Sequence, residues 1–250
     1  MRRFAASTAL LVATTLTPAF GAADAVDRVS RSVPMTAGGA IRVDATIADL
    51  TITASDRRDV QIDVERRAPA RADLARFPVA IDTTGEGLHV SVVQHDDGRD
   101  SRLKATIRIV APAAAAFPLV RVFEGRVRIA NVRSAADVDL VRGSIEATSI
   151  SGRVRLESGL GGIDVRDAEL AADGMLRLRV FNGPLRLRFD HPPTNARILA
   201  VTLNGGITSD IPLAMKDRFG PRFGEATIGS GDPIVSLDVV KGDISLGVGK

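Results

Sequence analysis

A five-residue phrase recurs through the second half of this chain and restricts it to a stacked β architecture: glycine, any residue, branched aliphatic, any residue, aliphatic. It reads Gly125-Arg126-Val127-Arg128-Ile129, Gly143-Ser144-Ile145-Glu146-Ala147, Gly152-Arg153-Val154-Arg155-Leu156, Gly162-Ile163-Asp164-Val165 in shortened form, Gly174-Met175-Leu176-Arg177-Leu178 and Gly183-Pro184-Leu185-Arg186-Leu187. Later copies stand at Gly206-Ile207 and Gly242-Asp243-Ile244-Ser245-Leu246. From Gly143 to Gly183 the glycine steps are 9, 10, 12 and 9 residues, the length of a short strand and a turn. A unit this small cannot bury its own apolar face, so it must stack on copies of itself.

Successive side chains of a strand point to opposite faces, which sends Val127 and Ile129 one way and Arg126 and Arg128 the other. Glycine supplies the positive φ that each tight return needs. The expected fold is therefore all-β: a single-stranded β-helix-like solenoid with a more hairpin-like N-terminal β region. Two strands per coil would give about twenty residues per turn, within the solenoid range, but two and three strands per coil both remain open.

The N-terminus reads differently. Arg2 and Arg3 precede an apolar run from Phe4 to Leu16, followed by Pro18 and the small-residue stretch from Ala19 to Ala25. That is the order of a secretory signal peptide, with cleavage after Gly21, Ala23 or Ala25. Removal of residues 1–23 takes the count from 33 basic against 30 acidic residues to 31 against 30, so the mature chain is nearly neutral. No apolar stretch of about 20 residues follows, so the mature chain has no helix able to span a membrane. Cysteine is absent, which excludes disulfides, thiolate metal sites, a cysteine nucleophile and a lipidated N-terminal cysteine.

Between Ala40 and Pro112 alternating β-formers predict short strands at Ile41–Val43, Leu50–Thr53, 59–65, 79–82, 88–93 and 103–110, with one possible short helix at 69–76. The prolines of the 111–118 run each lack a donor and predict a break from the middle of a sheet. The expected division is a signal peptide at 1–23, an N-terminal β region at 24–117 continuous with the stack, and a glycine-repeat solenoid at 118–250. A later interruption, 212–231, is expected to cover an open end or flank with Phe219 and Phe223.

Ile107-Arg108-Ile109-Val110-Ala111-Pro112, Phe123-Glu124-Gly125-Arg126-Val127, Leu203-Asn204-Gly205-Gly206-Ile207 and Val240-Lys241-Gly242-Asp243-Ile244, together with the copies at Gly143 and Gly152, resemble the bacterial DUF4097 group of adhesin-like proteins with β-strand repeats. The resemblance covers most of the mature chain and is strongest at 103–147 and 203–246. It implies an exported β-helix-like protein of the cell envelope that is periplasmic, surface-bound or secreted. It carries over no catalytic residue, and fold does not by itself imply function.

The conspicuous polar residues are arginines at outward positions: Arg126, Arg128, Arg153, Arg155, Arg177, Arg179, Arg186 and Arg188. Stacked rungs could align some of them into a ladder that grips sulfate, phosphate or uronate groups of a polyanion. The competing reading is a solvated charged face, since Glu146, Asp164, Asp137 and Asp139 occupy equivalent places. Asp96, Asp97 and Asp100 lack the ligand spacing of an EF-hand, so their loop reads as a polar hairpin turn rather than a calcium site. Asp190 and His191 have no nucleophile elbow beside them, and the carboxylates do not cluster as glycoside chemistry requires. The chain is expected to be non-enzymatic, with no cofactor and no metal. The partners that fit are another envelope protein, the chain itself or an anionic polysaccharide, and not nucleic acid.

Overall fold

The computed structural model describes residues 24–36, 38–84, 87–95, 99–216 and 220–249. The leader at 1–23, Asp96, Asp97 and Phe219 lie outside the described residues. The strands are β1 (Ala25–Pro34), β2 (Ala40–Ser55), β3 (Asp59–Ala68), β4 (Val79–Thr84), β5 (Gly87–Val92), β6 (Lys104–Pro112), β7 (Ala116–Ala130), β8 (Ala136–Thr148) and β9 (Arg153–Leu160). They continue as β10 (Ile163–Ala168), β11 (Met175–Asn182), β12 (Leu185–Phe189), β13 (Ala196–Asn204), β14 (Ile207–Ser209), β15 (Ala214–Lys216), β16 (Arg222–Ile228), β17 (Ile234–Lys241) and β18 (Ile244–Val248). A 3-10 turn, Arg71–Arg76, is the helical element among the described residues. None of their helices is long and apolar enough to cross a membrane.

The 18 strands of the described residues form one large open sheet. Its pairings fall into two series. The first runs β5, the front of β2, β7 and β8, then β9, β11, β17 and β13, parallel throughout. The second runs β6, the back of β2, β7 and β8, then β10, β12, β18 and β14, also parallel. Antiparallel strands close the ends: β4 on β5, β3 on β6 and β1 on β3 at one end, β16 on β13 and β15 on β16 at the other. The order is not that of the chain, because β17 and β18 lie between β11–β12 and β13–β14.

Alternation decides what is buried. In β12 the burial runs strictly buried, exposed, buried, exposed, buried, with Leu185, Leu187 and Phe189 inside. Val127, Ile145, Val154 and Leu185 all join one hydrophobic core that takes residues from both series. Hydroxyls replace aliphatics at Ser158 and Thr202 and are satisfied in place, donating to the carbonyls of Gly161 and Gly242 at 3.2 and 2.9 Å.

The glycines explain the passage between the series. Gly125, Gly143, Gly161, Gly183 and Gly242 all have φ between 127° and 151°. A Cβ at Gly143 would stand 1.7 Å from the carbonyl oxygen of Gly125, and one at Gly161 1.6 Å from that of Gly143. The corners are stacked too closely for any side chain. This corrects two units of the repeat: Gly161 and Gly205, not Gly162 and Gly206, occupy the corner, and from Gly161 the shortened copy has full length. Gly152 and Gly174 belong to a different corner, where a Cβ on either would meet backbone oxygens at 2.8 and 2.9 Å. The repeated phrase is therefore one glycine per strand, drawn from two alternating corners.

Several expected boundaries move. Ile41–Val43 and Leu50–Thr53 are parts of the single strand β2, which bends from one series to the other without leaving extended conformation. The prolines of the 111–118 run do not keep it out of the sheet: Pro112 ends β6, and Pro118 lies in β7 where its register shifts. A register irregularity is the place where a missing donor is tolerated. Strand β1 was not expected. Only Val33 of it is buried, so it lacks the apolar alternation that marks a core strand. The expected flank cover is strand β16, in which Phe223 pairs with Val201.

Candidate interaction surface

The arginines weighed as a possible ladder are divided between the two series. Arg126, Arg128, Arg186 and Arg188 lie on the second, and acids separate them: Arg128 pairs in register with Glu146, Glu146 with Asp164, and Asp164 with Arg186. Glu146 receives Arg126 at 3.5 Å and Arg128 at 3.1 Å, while Asp164 is bound by Arg166 at 2.7 Å. That column reads basic, acidic, acidic, basic: its acids take up Arg126, Arg128 and Arg166, while Arg186 and Arg188 make no ion pair among the described residues.

Arg153, Arg155, Arg177 and Arg179 lie on the first series. Arg153 is opposite Met175 and apart from the rest, whereas Arg155 is opposite Arg177, and Arg179 stands between Glu157 and Asp238. Arg155 bonds Asp137 at 2.8 Å and Glu157 at 2.5 Å. Partial burial works against its charge, but the Asp137 hydrogen bond and the nearby carboxylates outweigh that, leaving its pKa above the ordinary guanidinium value. Arg177 and Arg179 make no ion pair or side-chain hydrogen bond among the described residues. They line a groove of about 440 Å³ whose far wall is Val201, Leu203 and Val240.

A second feature of this face escaped the sequence reading. Two residues before each corner glycine stand Phe123, Val141, Gly159, Phe181, Val240 and Leu203, which the register brings into one line across consecutive rungs. Phe181 is 62% exposed, Leu203 48% and Val141 44%. The Arg99 guanidinium stacks on Phe123, 3.3 Å from its ring centroid. The signal was present as an apolar residue at a constant offset from glycine, but the glycines of the two corners had not been separated.

The other candidates are local. Asp100 is held by Arg102 at 2.8 Å and Arg76 at 3.2 Å, which keeps its carboxyl far below the usual carboxylate range. His89 contacts Asp44 at 2.8 Å, and the exposed His191 contacts Asp190 at 3.0 Å. No cluster of three or more His, Cys, Asp or Glu among the described residues is arranged to hold a metal ion.

Among solved structures, the chain is similar to a "putative cell adhesion protein" from Clostridium sporogenes ATCC 15579, at 9% identity and TM-score 0.51, over 89% of this chain and 100% of that one. The likeness is one of fold. A "putative adhesin" from Bacteroides fragilis NCTC 9343 aligns at 13% identity and TM-score 0.38, over 89% of this chain and 97% of that one. No protein-family model and no curated protein sequence matches the chain.

Proposed function

We propose that this chain is an exported, non-enzymatic β-solenoid of the bacterial cell envelope, two strands to the coil, acting as an adhesin-like scaffold for protein interaction. The observation that carries the reading is the line of exposed apolar side chains, Val141, Phe181 and Leu203, beside charged columns on a frame of in-register parallel rungs. A contiguous apolar strip rimmed by charge is the usual composition of a protein contact surface. The resemblance to the DUF4097 group and the fold likeness to a protein named for cell adhesion agree with it. Within this reading residues 1–23 are the signal peptide, 24–117 the N-terminal β region and 118–250 the glycine-repeat solenoid.

Two measurements test it together. The mature N-terminus recovered from the envelope fraction should follow Gly21, Ala23 or Ala25, and a photo-cross-linking residue at Phe181 should give protein adducts there that one at Arg186 does not. An uncleaved cytoplasmic chain, or equal adducts from both positions, would overturn the proposal.

A second reading, a polyanion-binding module for an anionic polysaccharide, is favoured by one observation: Arg177 and Arg179 lie on the groove without a carboxylate partner among the described residues. Planar guanidinium groups free to accept two oxygens each suit sulfate, phosphate or uronate.

A further inference from the structure

We infer that the first-series face is self-complementary and joins two copies of this chain into a two-fold dimer, the two-fold axis running along β9. The inference rests on the interaction-scaffold reading and names its partner and its face.

The charges on this face follow an order that a second copy, turned about β9, complements. In register across β7, β8, β9, β11 and β17 stand Arg121, Asp139, Glu157, Arg179 and Asp238. Among the described residues Arg121 and Asp139, directly opposite each other, form no close ion pair, Arg179 has none, and Asp238 accepts the Ser236 hydroxyl at 2.9 Å and no other side chain. Turning a second copy about an axis along β9 keeps each column facing itself and reverses the order of rungs. Arg121 then meets Asp238 of the other copy, and Asp139 meets Arg179. At the centre Glu157 meets Glu157 and Arg155 meets Arg155 of the other copy, the one place where like residues face each other, and there each is closed within its own Arg155–Glu157 pair at 2.5 Å. A two-fold contact of this kind is isologous, so every favourable pair occurs twice.

The apolar line obeys the same operation. Phe181 falls on Val141 of the other copy, Phe123 with its stacked Arg99 falls on Val240, and Gly159 meets Gly159. The most exposed large side chain, Phe181, thus lies beside the glycine notch rather than against another ring. Five strands about 4.8 Å apart and strands of 8 residues give a contact roughly 20 by 26 Å, about 520 Å² on each copy and about 1,040 Å² in all, just above the roughly 1,000 Å² that marks a specific interface. The alternative of stacking the same rungs in the same order would set Arg121 on Arg121 and Asp139 on Asp139, which electrostatics disfavours.

The test is a charge exchange read by light scattering and sedimentation over a dilution series. The wild-type protein is expected to be a dimer. Asp139→Arg alone and Arg179→Asp alone should each weaken the dimer at least about tenfold, since each sets like charges against one another twice. The double variant, Asp139→Arg with Arg179→Asp, should restore it. Far-ultraviolet circular dichroism and the thermal midpoint, unchanged among the variants, separate loss of association from loss of fold; Phe181→Ser, at an exposed position, gives a second route to the monomer. A monomeric wild type, or a double variant as weak as the singles, overturns the inference. Either result leaves the scaffold reading to its own test by export and by cross-linking to other envelope proteins.

Discussion

Arg155 of β9 faces Arg177 of β11 across the parallel register, and only Arg155 is neutralised, by Asp137 at 2.8 Å and Glu157 at 2.5 Å. Like charges on adjacent strands repel. The carboxylates on Arg155 relieve that repulsion and leave Arg177 available to an outside anion.

If the polyanion reading holds, Arg177→Ser combined with Arg179→Ser removes retention on a sulfated polysaccharide column, while Arg186→Ser with Arg188→Ser leaves it unchanged. Retention of the wild type should fall steeply with added salt, because exposed charges are screened within about 10 Å at 0.1 M. Equal loss in both variants would mean that net charge, not the groove, does the binding.

Gly143→Ala is expected to destabilise the protein by about 3 kcal/mol or more, measured by urea denaturation. Its φ of 134° is outside the range of L side chains, and the added Cβ would lie 1.7 Å from the Gly125 carbonyl oxygen. Gly38→Ala is the control. Its φ is also positive, but no atom lies within 4 Å of the new methyl, so its cost should stay near about 1 kcal/mol. Similar costs at the two sites would contradict the stacked corner.

Leu237→Ala should cost about 2–5 kcal/mol, the range for emptying a packed leucine site. Although β17 is late in sequence, it is interior, and Val235, Leu237 and Val239 are all buried. Met215→Ala on β15, 42% exposed at the end of the sheet, should change stability by less than about 0.5 kcal/mol. A small effect at Leu237 would refute the interior placement of the late strands.

Asp100 makes stability depend on pH in a defined direction. The Arg102 side chain first, then the Arg102 backbone N–H and Arg76, hold its carboxyl below the ordinary value. A depressed folded-state pKa contributes stability that is present above the unfolded value of about 3.9 and is lost as pH falls toward the folded one. Asp100→Asn should therefore melt below wild type at neutral pH, with the gap closing below about pH 4. A gap that persists into acid would assign the effect to lost packing instead.

Much of the architecture was legible before any coordinates. The Gly-x-aliphatic-x-aliphatic phrase put Val127, Ile145, Val154 and Leu185 inside and Arg126, Arg128, Arg186 and Arg188 outside, since alternation is a property of the extended backbone and needs no neighbour. The strand β1 was not legible, because an edge strand that buries Val33 alone lacks the apolar alternation that would mark it. The neighbours of each arginine were not legible for a related reason. Whether Arg128 stands next to Arg186 or is separated from it by Glu146 and Asp164 depends on which rungs are adjacent, and spacing along the chain does not report adjacency.

From its residues alone, the chain determined that it would build short strands with aliphatics inward, charge outward and glycine at each return, because these follow from local geometry and from the need to bury one face. Tertiary structure alone decided which rung lies beside which. It set Gly161 rather than Gly162 at the corner, inserted β17 and β18 ahead of β13 and β14, and aligned Phe181 with Val141 and Leu203. The physical reason is that rungs of nearly equal apolar pattern can pair in many orders, and the choice among them rests on long-range contacts that close only when the whole stack has formed.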